Sequence, residues 1–273
     1  MGRQDHGVEK RYIVMPDQHM EFVFKPAINC VLQAIDIVKP TGFINLGDVG
    51  EWRGASHWEW KKKKRPPLDY QLLDINDDIG KVAIGVDITD EMLDKRNVGE
   101  KYILEGNHDL WLDNLVEENQ SLARTSHKHG TGYGFRDVLN WERRGYTYYE
   151  AGKLLKLGKL HYYHGHLLGG IDHCRNHLLK WGVNVLYADK HDVQQRSITH
   201  KDGEKSAWSI GCLKRMDHAA NKFLRRQPTN WGHAFSIVDY WKGGYFSVQV
   251  VRIIGGRCSL WGELIDGHKG PWK

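Results

Sequence analysis

Residues 11–19 read Arg-Tyr-Ile-Val-Met-Pro-Asp-Gln-His, residues 43–48 read Phe-Ile-Asn-Leu-Gly-Asp, and between them Ile28, Val31, Leu32, Ile35 and Val38 recur at spacings of three and four. An apolar run stopped by Pro16 reads as a strand. The spacing over 26–39 predicts a helix, and the second apolar run a second strand. Strand, loop, helix and strand in that order make an α/β unit, whose functional loops sit at the carboxyl ends of its strands. Each strand here hands over to polar residues: Asp17 and His19 after the first, Gly47-Asp48 after the second.

The same handover recurs along the chain. Tyr102-Ile103-Leu104 runs into Gly106-Asn107-His108-Asp109. Residues 154–163 alternate around Gly158, read as a hairpin, and end at His164-Gly165-His166. Asp172 is placed to cap a helix running to Trp181, and residues 183–187 form a strand that leads to Asp189-Lys190-His191. Residues 68–96 show helical spacing interrupted by Gly80 and Gly85, which predicts two helices or a broken one. Residues 110–124 read as helix. The stretch 125–150 has no clear period and reads as a mobile insertion near the site. Beyond residue 192 come short strands at 193–199, 207–212, 234–241 and 245–254, which imply a second sheet.

Clusters of carboxylate, amide and imidazole at successive strand ends suit divalent ions such as Mn²⁺, Fe²⁺ or Zn²⁺ without thiolate. Two such ions about 3.5–4 Å apart clamp both oxygens of a phosphoryl displacement, so the pattern points to hydrolysis of phosphate esters.

Composition narrows the classes. With 273 residues, 7 prolines and no Gly/Ser-rich linker, and with candidate ligands running from 17 to 191, the chain reads as one domain over 1–273. No apolar run approaches the roughly 18 residues of a membrane span, and the N-terminus lacks a signal-peptide core. The expectation is a soluble, cytoplasmic protein, in the host cytoplasm if phage-encoded, with no membrane partner and no inferable protein partner. Cys30, Cys174, Cys212 and Cys258 form no CxxC pair, which argues against a disulfide framework or a thiolate zinc site and for four buried small hydrophobes. The net charge of +5 is a mild basic excess that would attract a polyanion. Its sharpest local source is the run at 61–65, Lys-Lys-Lys-Lys-Arg, preceded by Trp52, Trp58 and Trp60. Cations beside aromatic rings suit a nucleic-acid backbone with unstacked bases, and equally a solvated loop.

In combination, DxH at Asp17 and His19, GD at Gly47-Asp48, GNH plus an acid at 106–109, His164 before Gly165, and a late His191 resemble the calcineurin-like metallophosphoesterase superfamily. Gly47-Asp48 followed by an aromatic, Ser56-His57-Trp58 and lysines looks most like its small phage and bacterial members. The resemblance implies a four-layer α-β-β-α sandwich with two mixed β-sheets. It also implies hydrolysis by a hydroxide held between two metal ions and attacking phosphorus in line. Asp17, His19 and His191 would hold the first ion, Asp48 would bridge, and Asn107 and His164 would hold the second. His108 would stay off both ions and donate a proton to the leaving oxygen or a hydrogen bond to a phosphoryl oxygen, with Asp109 orienting or charging its ring. Mn²⁺ is the favoured ion, with Fe²⁺, Zn²⁺, Ni²⁺ or Mg²⁺ as alternatives.

One position departs from the pattern. Where the superfamily has GHxH, this chain has Ala188-Asp189-Lys190-His191. Asp189 can ligate and would favour harder ions; the alternatives are a carboxylate behind the ligands or a site that works with one tight ion. Arg53, His57 and His166 are the candidates for substrate binding. The expected substrate is a phosphodiester, of DNA, RNA or a nucleotide. The alternatives are a phosphomonoester of a phosphoprotein or nucleotide, and a degenerate member that binds nucleic acid without cutting. His173 and His177, four apart on the expected helix, read as solvated or structural, with a further metal site as the alternative.

Overall fold

The computed structural model describes residues 7–61 and 64–272, so the N-terminal stretch, Lys62 and Lys63 of the basic run lie outside the described residues. Its layers follow from alternation along the first strand, Lys10–Met15 (β1). Ile13 and Met15 face one apolar core, while Tyr12 and Val14 face another. A 3-10 turn at Met20–Phe22 leads into helix Lys25–Val38 (α1), where a proline in the first turn favours the helical start. Lys39 ends α1 in the left-handed region, its N–H donating to the Ile35 carbonyl. Gly42–Asn45 (β2), His57–Trp60 (α2), Leu68–Lys95 (α3), Glu100–Leu104 (β3), Leu110–Glu118 (α4), Phe135–Val138 (α5) and Tyr146–Tyr149 (β4) follow. Then come Leu155–Leu157 (β5), Leu160–Tyr162 (β6), His173–Trp181 (α6), Asn184–Tyr187 (β7), Val193–His200 (β8) and Gly203–Ile210 (β9). His233–Trp241 (β10), Tyr245–Ile253 (β11) and a hairpin of Arg257–Leu260 (β12) and Glu263–Asp266 (β13) complete the order.

Two large mixed sheets result. The first runs β11-β10-β1-β2-β3-β4, with β1 to β4 parallel and β10 antiparallel to both its neighbours; the second runs β5-β6-β7-β9-β8. One core packs Ile13, Phe43 and Ile103 of the first sheet against Ile28, Val31 and Ile35 of α1 and Ile75, Ile79 and Val82 of α3. The other packs Tyr12, Val14, Ile44 and Leu104 against Leu160, Tyr162 and Leu186 of the second sheet. On that sheet's far side α6 supplies Cys174 and Leu178, and His177 stacks on Tyr187 at 3.8 Å. The order of layers is helix, sheet, sheet, helix, as expected. Each fully buried aliphatic side chain contributes about 1.5–3 kcal/mol, so the two cores dominate the stability.

Three expectations need correction. α3 is one helix of 28 residues, unbroken at Gly80 and Gly85. The stretch 125–150 is no loose insertion: Phe135, Val138, Leu139 and Trp141 are buried, and β4 extends the first sheet parallel to β3. Of the late strands only β8 and β9 enter the second sheet, because β10 pairs with β1 and takes β11 with it. All four cysteines are buried and unbridged. No helix among the described residues is long and apolar enough to cross a membrane.

Candidate metal centre

Parallel pairing puts the motif-bearing ends level. Met15 lies opposite Asn45, and Asn45 opposite Ile103, so β1, β2 and β3 release Asp17, Asp48 and Asn107 at one edge. In the facing sheet Tyr162 pairs parallel with Leu186, so β6 and β7 release His164 and Asp189 to His191 side by side. A bridge from Asp17 to Cys212, with the Leu213 N–H donating to the Asp17 carbonyl at 2.7 Å, ties the first loop to the segment after β9.

The loops that arrive are strained. His19, Asp48, Asp189 and His191 all have left-handed φ, between 44° and 59°. Such backbones cost about 1–3 kcal/mol each and persist only where the surroundings enforce them. Two glycines allow the approach. A Cβ on Gly47 would lie 2.5 Å from the Gly106 nitrogen, and one on Gly106 would lie 2.1 Å from Asp48 Oδ1. Asp109, fully buried, locks this pair of loops by accepting from Asp48 N (2.7 Å), Gly106 N (3.0 Å) and Trp52 Nε1 (2.8 Å). Its carboxylate is therefore spent on backbone and indole, and the expectation that it orients the His108 ring is corrected.

Three overlapping groups of side chains can each hold a metal ion: Asp17, His19 and His191; His19, Asp48 and His108; Asp17, Asp48 and His164. His191 Nε2 lies 2.9 Å from Asp17 Oδ2, and His164 Nε2 lies 3.4 Å from Asp48 Oδ2 and 3.0 Å from Asn107 Oδ1. The Leu46 carbonyl, 2.9 Å from His164 Nδ1, accepts that proton and leaves Nε2 facing the carboxylates. Asp17 Oδ2 is buried without a hydrogen-bond donor, in spite of its close imidazole neighbour. An orphaned carboxylate oxygen aimed into imidazoles and a second carboxylate fits a hard divalent cation.

Charge agrees with this fit. Burial, with Lys214 nearby, lowers the His19 imidazole to about 4 and keeps it neutral, the state in which it ligates. Burial opposes charge on Asp48 and on His164, but the imidazoles around Asp48 hold it well below the usual carboxylate range. Asp48 and Asp17 push His164 well above its ordinary value in turn. The field is one that a cation would answer.

The remaining expected residues divide. Asp189 lies 3.5 Å from His164 Nε2 through Oδ1, donates its backbone N–H to Asp17 Oδ1 at 3.2 Å, and meets Lys190 Nζ at 2.5 Å through Oδ2. His108 donates its backbone N–H to Asp48 Oδ1 at 2.9 Å, and its ring lies 4.8 Å from His19 and 4.0 Å from Trp111. His166 stands 5.9 Å from His164, ring to ring, with a buried Nδ1 that has no partner. Arg53 is not brought to the cluster: its guanidinium lies over Phe22 at 4.2 Å. Exposed His57 instead lines a cavity of about 430 Å³ with Arg65, Trp111 and Asn114. His173 and His177 are buried, and His173 Nε2 meets Asp192 at 2.9 Å, which makes the pair structural.

Sequence reading missed Glu51 and Lys214. Glu51 Oε2 lies 3.0 Å from His19 Nδ1 and 2.6 Å from Lys214 Nζ, all buried. It holds the ring of the candidate ligand His19, and its signal was a carboxylate three residues past Asp48. Lys214 carries no local signal, because its partner is 163 residues away.

No family model matches the sequence, and no curated protein matches it. Among solved structures, Vps29 of Chaetomium thermophilum is similar at 11% identity, with 94% of this chain and 97% of that chain covered and a TM-score of 0.43. Thermotoga maritima protein TM1076 is similar at 13% identity, 89% and 99% coverage and a TM-score of 0.35. TT1561 of Thermus thermophilus is similar at 10% identity, 88% and 98% coverage and a TM-score of 0.34. These likenesses carry none of the functional argument, which rests on the side chains.

Proposed function

We propose that this chain is a divalent-metal-dependent hydrolase of phosphate esters that acts on phosphodiesters of nucleic acid or a nucleotide. One observation carries the reading: Asp17 belongs both to a group with His19 and His191 and to a group with Asp48 and His164, two overlapping ligand sets that suit two neighbouring ions better than one. Asp17, His19 and His191 would hold one ion, His164, Asn107 and Asp189 the other, with Asp48 between; Mn²⁺ is the favoured ion. Such ions supply positive charge to a phosphoryl oxygen and a nucleophilic water at neutral pH.

The chain's own groups do the rest. His108 Nδ1 faces the Glu51 carbonyl at 3.4 Å, an oxygen that can only accept. Nδ1 therefore holds a proton, and Nε2 is left to deliver a second one to the leaving oxygen. His166, with its unpartnered Nδ1, would contact the phosphoryl group. Glu51 and Asp109 are positioning residues, one for His19 and one for the Asp48 loop. The placement beside small phage and bacterial phosphoesterases belongs to the same proposal.

The test compares a bis-aryl phosphodiester with an aryl monoester in Mn²⁺. Preference for the diester, lost in Asp48→Asn, is expected. A strong preference for the monoester would replace the substrate class. Failure to cleave either with Mn²⁺, Mg²⁺, Ni²⁺ or Zn²⁺ would remove the hydrolytic reading.

A further inference from the structure

Resting on the phosphodiester reading, we propose that the segment 214–231 is one wall of a track for single-stranded nucleic acid. Phe223 is its platform for an unpaired base, and Lys222, Arg225 and Arg226 contact the backbone phosphates. Trp231 stands against His191, ring to ring at 4.4 Å, and Phe223 lies 6.4 Å beyond it. The Phe223 side chain is 67% exposed, a large apolar surface held in water and separated from His191 by the Trp231 ring.

The opposite side of the cluster repeats the chemistry. His108 meets Trp111 at 4.0 Å, and Trp111 meets exposed His57 at 6.1 Å. Next to His57, Trp58 is 58% exposed, and Lys61 lies over its ring at 4.5 Å. His19 sits between the two directions, 4.8 Å from His108 and 5.2 Å from His191. Aromatic rings thus leave the centre both ways, and each path ends in an exposed ring flanked by cations.

Charge on the 214–231 side is not self-neutralised. Between 214 and 226 the sequence places five Lys or Arg against one Asp. Lys214 is spent on Glu51 and Arg215 on Asp217, at 2.6 and 2.7 Å. Lys222, Arg225 and Arg226 are exposed and form no ion pair among the described residues. Free cations beside an exposed ring recognise a phosphate chain with unstacked bases, because base stacking is sequence-tolerant and phosphate contact releases counterions. A duplex keeps its bases inside and cannot use the platform.

The experiment uses the full chain in Mn²⁺ with two readouts: turnover of the bis-aryl phosphodiester, and anisotropy of a labelled oligothymidylate and of the corresponding duplex. Phe223→Ala and the double variant Arg225→Ala/Arg226→Ala lie on the surface, away from the ligand cluster. Each is expected to keep small-diester turnover within about twofold and to weaken oligothymidylate binding about tenfold. The double variant should also flatten the salt dependence by about 1–2 in log–log slope. Unchanged oligothymidylate binding in both variants, or duplex binding as tight as single-strand binding, would overturn the track. Absent diester hydrolysis with Phe223-dependent binding intact would instead remove the hydrolytic reading and leave the track standing.

Discussion

On the proposed reading, His108 moves a proton without a metal bond of its own. Its ring is held between His19 and Trp111, and its Nδ1 is occupied by a carbonyl. Replacing it by Gln keeps a side chain of similar reach but removes the imidazole that would donate the proton. Turnover should fall on the order of a hundredfold with metal content per chain unchanged. Elemental analysis of the purified variant checks this, and loss of an ion would make His108 a ligand, as its grouping with His19 and Asp48 also permits. His173 makes a separate prediction. Burial opposes its charge, but the hydrogen bond it donates to Asp192 and contact with Cys174 raise it from 6.5 to about 9. A raised folded value stabilises fully below the unfolded value of 6.5 and is lost as pH climbs through about 9. Between those limits the wild type should lose on the order of 2 kcal/mol that a His173→Gln variant does not, measured by urea unfolding at about pH 6.5 and 9.5. A parallel pH dependence in the two proteins would exclude the pair as the source.

At the scale of elements, α3 shows how one residue type carries opposite meanings. Gly80 has nothing within 4 Å of where a Cβ would stand, whereas a Cβ on Gly85 would meet the Trp272 ring at 2.5 Å and Met20 Sδ at 2.7 Å. Gly80→Ala should therefore stabilise by about 0.5–1 kcal/mol through helix propensity, and Gly85→Ala should destabilise. Thermal unfolding of both variants checks the pair; equal shifts would contradict the packing. Both glycines read as breaks in the sequence because nothing near either position in the chain shows that Trp272 comes to rest on one of them. The stretch 125–150 escaped for a related reason. α5 spans 4 residues and β4 another 4, too short for a period to emerge, and their burial depends on Trp141, whose indole donates to the Phe135 carbonyl at 2.9 Å.

For the whole molecule, the decisive fact is that two sheets present their carboxyl edges to one another. The strand–helix–strand unit at 11–48, the strand before 106–109 and the strand before 189–191 were legible, because alternation and apolar runs are local and each ended in candidate ligands. Layer order followed from the resemblance those motifs carry. The destination of β10 was not legible: it starts at His233, far along the chain from β1, and pairs antiparallel with it, a contact that no local pattern encodes. Nor was the traffic at Asp189, where Lys190 takes one carboxylate oxygen and His164 faces the other. By itself the sequence determined which residues could ligate and at which strand ends they stand, since residue chemistry and periodicity are properties of short segments. Only the tertiary structure decided that Asp17, Asp48 and His164 share one pocket, that Asp109 clamps loops instead of a ring, and that Glu51 and Lys214 stand behind His19. Those outcomes depend on close approach between segments far apart in the chain, which the packing of one sheet on the other enforces.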